Sequence, residues 1–146
     1  MRKLQGFTLV ELMITIGILA ILATLAVPSF ASMVRKYNLE SSAMELNMLL
    51  SEARSSAVAT RTDVTVHLNK SALNTSRHKY WMPKGQVTYR SETVIAIVFK
   101  PSGQIHELTT DLSLKLCDQS TASKRSMTLN LSRFGTVQNI EKGQCP

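Results

Sequence analysis

The side chains that could do acid-base, nucleophilic or metal chemistry in this chain are few and scattered. His67, His78 and His106 fall in separate segments, and none has a carboxylate or thiol at the spacing of a metal site or a catalytic triad. Asp63, Glu92, Glu107, Asp111 and Asp118 form no paired carboxylate motif, and no phosphate-cradling or dinucleotide loop occurs. The histidines read as surface imidazoles. This set predicts no enzymatic activity, no cofactor and no metal. Cys117 and Cys145 are the two cysteines. If the chain is exported, joining them would close residues 117–145 into a loop and stabilise the fold by roughly 3 to 4 kcal/mol; the alternative is two free thiols.

One carboxylate stands out by its surroundings. The stretch GFTLVELMITIGILAILATLAVPSF is apolar almost throughout and carries a single acid, Glu11, near its start. Residues 12–34 have no charged side chain, and Leu12 to Phe30 as a helix would reach about 28 Å, close to the thickness of a bilayer core. The run reads as one membrane span. Arg2 and Lys3 precede it, so the excess of cations on the cytoplasmic side would leave the N-terminus inside and send the remainder outward. A carboxylate at membrane depth is costly, so Glu11 needs a partner.

Beyond the span the pattern changes. Leu39, Ala43, Leu46, Leu50, Ala53 and Ala57 recur at spacings of three and four, while Glu40, Glu45, Asn47 and Glu52 lie off that line. With no Gly or Pro between 31 and 60, one helix should run to about Thr60, amphipathic in its outer half and lying on a globular body. Met33, Met44 and Met48 are expected to serve packing. After Thr60 the period shortens, and eight strand-like segments follow: 63–69, 78–82, 86–89, 93–100, 104–109, 112–117, 126–132 and 136–140. Turn residues separate them, and Phe99 to Gln104 reads as a hairpin turn built on Pro101 and Gly103. The expected body is an antiparallel sheet or two-sheet sandwich packed on the helix, an α+β fold.

The residues Gly6-Phe7-Thr8-Leu9-Val10-Glu11, followed by a helix of spanning length, resemble the processing motif of type IV pilins and type II secretion pseudopilins. The resemblance implies cleavage by a prepilin peptidase between Gly6 and Phe7 and N-methylation of the new terminus at Phe7. It also implies that Glu11 supports filament assembly by pairing with the terminal amine of a neighbouring subunit; pairing with its own Phe7 amine, or staying protonated, are the alternatives. Pro28 would kink the span, as proline does in the members of this group. The single helix, the short strands, the Phe99-x-Pro101-x-Gly103 turn, Arg54 and Cys145 are similar to the GspH/FimT subgroup of minor pilins and pseudopilins. That resemblance implies a prepilin leader at 1–6, a transmembrane helix at 7–30, its amphipathic continuation at 31–60 and a β domain at 61–146. The expected location is the inner membrane, single-pass with the β domain in the periplasm, and then the pilus, among other minor pilins and the major pilin.

The formal charge is +7, and the excess persists beyond the span. A basic surface admits a polyanion partner. DNA-uptake members of the subgroup use a Gly-Arg-x-Arg stretch near the C-terminus; Gly135-Thr136-Val137-Gln138 stands there in this chain and has neither arginine. The cations nearest to it are Lys124, Arg125, Arg133 and Lys142. A second basic stretch holds Arg77 and Lys79 beside Tyr80 and Trp81, which could stack on bases unless Trp81 belongs to the core. The resemblance therefore implies a minor pilin of the pilus initiation or tip complex, with a DNA-uptake pilin or a type II secretion pseudopilin as alternatives.

Overall fold

A computed structural model describes residues 7–90, 94–119 and 124–145. The leader, with Gly6, and Glu92 lie outside them. The chain forms two compact units, 1–34 and 35–146, and one helix, α1 (Leu9–Thr60), contributes to both.

In the first unit the described residues are helix with its short entry, and residues 7–30 are exposed throughout. This segment is long and apolar enough to cross a membrane. Pro28 lies inside α1. Its ring nitrogen cannot donate to the Thr24 carbonyl one turn back, so the helix lacks a bond there.

In the second unit α1 buries the stripe that its spacing foretells: Leu39, Ala43, Leu46, Leu50, Ala53 and Ala57, with Ser42 added. The three alanines let the backbone lie close to the sheets. Ser42, although polar, is satisfied there, since its Oγ accepts the Lys84 N–H at 2.9 Å. Met44 and Met48 face solvent rather than the core.

Among the described residues seven strands follow: β1 (Val64–Leu68), β2 (His78–Trp81), β3 (Val87–Tyr89), β4 (Ala96–Phe99), β5 (Leu112–Asp118), β6 (Arg125–Leu131) and β7 (Val137–Gln144). They form a three-stranded sheet in the order β2-β1-β4 and a four-stranded sheet in the order β3-β5-β6-β7. Alternation decides their faces: Val64, Val66 and Leu68 of β1 point inward, Thr65 and His67 outward. Ile97, Phe99, Leu114, Leu116, Leu129 and Leu131 complete a core with the helix stripe.

Two expectations fail in an instructive way. First, β1 and β2 pair in parallel, with Thr65 opposite His78 and Leu68 opposite Trp81. Loop 69–77 doubles back before β2 begins: Asn69 is left-handed (φ 56°), the Asn74 side-chain oxygen accepts the Tyr80 N–H, and Thr75 Oγ1 accepts the His78 N–H. Side-chain turns thus replace the usual crossover helix. Second, 104–109 is not a strand. Ile105 bridges Phe99, but its N–H goes to the Arg133 carbonyl, the next N–H to Val98, and Glu107 is left-handed. A segment that divides its amides between two neighbours cannot form a ladder.

The expected turn at Pro101–Gly103 is present, with Gly103 at φ 79°. The Arg54 side chain fastens it to the helix: Nε–H is shared between the Gly103 and Phe134 carbonyls at 3.2 Å each. Gly135, at φ 80°, allows the second loop to come this close, because a Cβ there would strike the Gly103 carbonyl oxygen.

Candidate functional site

The N-terminal segment presents Phe7, Leu9, Val10, Leu12, Met13 and Ile14 to the surroundings, with Phe7 83 % exposed. Glu11 lies in the first turn of α1. Thr8 caps that turn: its Oγ1 accepts the Glu11 N–H at 3.2 Å, and its carbonyl accepts the Leu12 N–H. Thr8-x-x-Glu11 is therefore the start of a capping box, a signal carried by the local sequence alone. An acid in a first turn is also favoured by the helix dipole. Among the described residues, no side chain pairs with the Glu11 carboxylate. The strongest internal reason for an acid here fixes the helix start and leaves its charge available.

Cys117, in β5, and Cys145, just past β7, form a disulfide with Cα atoms 6.0 Å apart. It joins the two strands that flank β6, closing the end of the sheet where β6 begins. Cys145 N–H also donates to the Lys124 carbonyl at 2.7 Å.

The six cations weighed as an anion surface do not form one face. Arg125 and Lys142 meet at the start of β6 beside α1, with Lys124 one residue before the strand. Arg133 lies at the opposite end of β6, its guanidinium over the Phe134 ring at 4.9 Å. Arg77 precedes β2 on the other sheet. Lys79 turns toward α1 and pairs with Glu52 at 2.6 Å, as Lys84 pairs with Glu45. Trp81 is buried in the core, so the Arg77 to Trp81 stretch does not offer its indole to bases.

Two clusters escape a reading along the chain because register, not spacing, assembles them. His67 and His78 meet across β1 and β2, Nε2 to Nδ1 at 3.3 Å, and His67 stacks on Tyr80. Burial, then the neighbouring His78 and Lys70, hold the His67 imidazole below its ordinary pKa. At the other cluster, Lys142 Nζ bonds Glu40 Oε1 at 2.9 Å. That bond, opposed by desolvation and aided by the charges of Lys142, Lys36 and Arg125, holds the Glu40 carboxyl below its ordinary value.

A sequence profile described as the prokaryotic N-terminal methylation motif matches residues 1–27. Over 36 residues the chain is 50 % identical to the prepilin peptidase-dependent protein D of Escherichia coli K12, a match spanning 25 % of either protein. The fold is similar to that of the type IV minor pilin FimU of Pseudomonas aeruginosa: TM-score 0.51, 20 % identity, 78 % of this chain and 92 % of that one. The chain thus carries the prokaryotic N-terminal methylation motif over residues 1–27 and shares the fold of a type IV minor pilin.

Proposed function

We propose that the chain is a minor type IV pilin, cut between Gly6 and Phe7, methylated at Phe7 and incorporated into the complex that initiates or tips the filament. Residues 7–30 hold it in the inner membrane, with the β domain on the periplasmic side, until a growing filament extracts it. The observation that carries this reading is Glu11: one carboxylate, unpaired among the described residues, on a helix segment whose apolar side chains are all exposed. A surface of that kind is unfavourable in water, and its acid is unfavourable in lipid; packing against other pilin helices, with the acid on a neighbour's terminal amine, relieves both.

The test is piliation. Cells lacking this chain should lose surface pili, and the intact chain should restore them. Glu11→Ala should reach the membrane with its β domain folded yet fail to restore them, by tenfold or more in pilus count. Normal piliation without the chain would overturn a role in filament initiation and shift attention to secretion or DNA capture.

A further inference from the structure

At the end of the four-stranded sheet nearest the first turns of the domain's helix, a groove of about 280 Å³ opens between α1 and β6–β7. Lys36, Arg125 and Lys142 line it around one carboxylate, Glu40, and Leu39 and Met127 form its apolar floor. Three cations share one acid. Lys142 takes it, and among the described residues the Lys36 and Arg125 side chains hold no ion pair. The groove is therefore a cationic rim over apolar carbon, just below the size range of small-ligand sites.

Its position in the chain indicates the occupant. Lys36 comes two residues after Val34, the last of the uncharged run, and its helix continues directly from the span. In the anchored protein a cation there lies at headgroup depth. We propose that this groove binds the headgroup phosphate of an anionic phospholipid, Arg125 and Lys36 holding the phosphate oxygens and Leu39 and Met127 receiving the glycerol and first acyl carbons. A guanidinium fork suits phosphate oxygens, and long lysine stems reach a headgroup while lying on carbon. Glu40 opposes the ligand and holds Lys142 in the rim, which weakens the hold on the phosphate. The inference rests on residues 7–30 being a membrane anchor.

The experiment uses the full chain, isotope-labelled, in maltoside micelles, with amide shifts followed as phosphatidylglycerol is added. Saturable shifts are expected at residues 39–40, 125–127 and 142–143, and none with phosphatidylcholine. Arg125→Gln and Lys36→Gln should each weaken half-saturation about fivefold, and Glu40→Gln should tighten it. Equal responses to phosphatidylcholine, unchanged binding in both cation variants, or weaker binding in Glu40→Gln would overturn the proposal. So would saturation of the same amides by inorganic phosphate at equal concentration, which marks a free-anion site, or by a short DNA duplex at lower concentration, which marks a nucleic-acid site. Paramagnetic quenching of amides 14–26 by a micelle-bound probe reports anchoring separately, so a failed anchor and a failed groove are told apart.

Discussion

The two stretches of α1 obey the same backbone geometry and opposite surface rules. Between residues 7 and 30 the helix exposes its apolar side chains, with Ile21 66 % and Leu25 72 % exposed; from 35 to 60 it buries a narrow stripe, with Leu39, Leu46 and Leu50 at 3 % or less. An all-round apolar surface has no partner within its own chain, whereas a stripe at spacings of three and four fits one flat neighbour. The first stretch is thus built for contacts between molecules, lipid or protein, and the second for contacts within one.

This contrast breaks if both stretches contribute alike to folding of the β domain. Leu46→Ala should destabilise the domain by about 2 to 5 kcal/mol, because a fully buried leucine leaves a cavity. Ile18→Ala should change domain stability by less than about 0.5 kcal/mol, as expected for a side chain that touches no core. Denaturant unfolding of the full chain in micelles, followed by Trp81 fluorescence, measures both. A large effect of Ile18→Ala on that transition would refute the division.

The domain has two further ties, and they should rank below the stripe or level with it. Replacing both Cys117 and Cys145 by alanine should cost roughly 3 kcal/mol, and reduction of the unaltered protein should produce a loss of similar size. Membrane insertion of residues 7–30 should not change. Arg54→Ala should cost about 1 to 3 kcal/mol, since two loop carbonyls lose a charged donor at once. Arg54→Lys should recover little of this, because an ammonium on a flexible stem does not reproduce the fixed Nε–H geometry. Amide exchange confined to residues 101–104 and 132–136 would show that the loss is local.

Much of this was readable from residue order, and the unreadable part has one cause. The helix stripe follows from local periodicity, the motif at 6–11 from its resemblance, and the positions of all seven strands from short segments set off by turn residues, each a property of neighbours in the chain. The parallel pairing of β1 with β2 does not, because the direction of β2 depends on Asn74 and Thr75 capping its first amides rather than on any alternation. Residues 104–109 lie between turn residues as a strand would, yet the Arg133 carbonyl competes with that of Val98 for their amides. The His67 and His78 contact and the gathering of Lys36, Arg125 and Lys142 about Glu40 need strand register, which no spacing rule supplies. Arg54 stood out in the sequence only by resemblance, and its work became visible when the two loops met above it.

The smallest expected effect compares the helix's two conspicuous glutamates. Glu40 has its cation within the chain, while Glu11 has none among the described residues. The Glu40 carboxyl titrates below its ordinary value of 4.5 in the folded protein because Lys142 bonds the charged form. A depressed folded value means stability that is present above 4.5 and lost as pH falls through the folded value. Lys142→Gln should therefore be less stable than the unaltered chain at pH 7, by under about 1 kcal/mol because both side chains reach water and salt screens them. The difference should shrink as pH falls below 4.5 and weaken in molar salt. Glu11→Gln should leave the same unfolding transition unchanged, since among the described residues no side chain pairs with the Glu11 carboxylate. A difference at Glu11 would mean that its carboxylate has a partner in the β domain, and the case for a neighbour's amine would go with it.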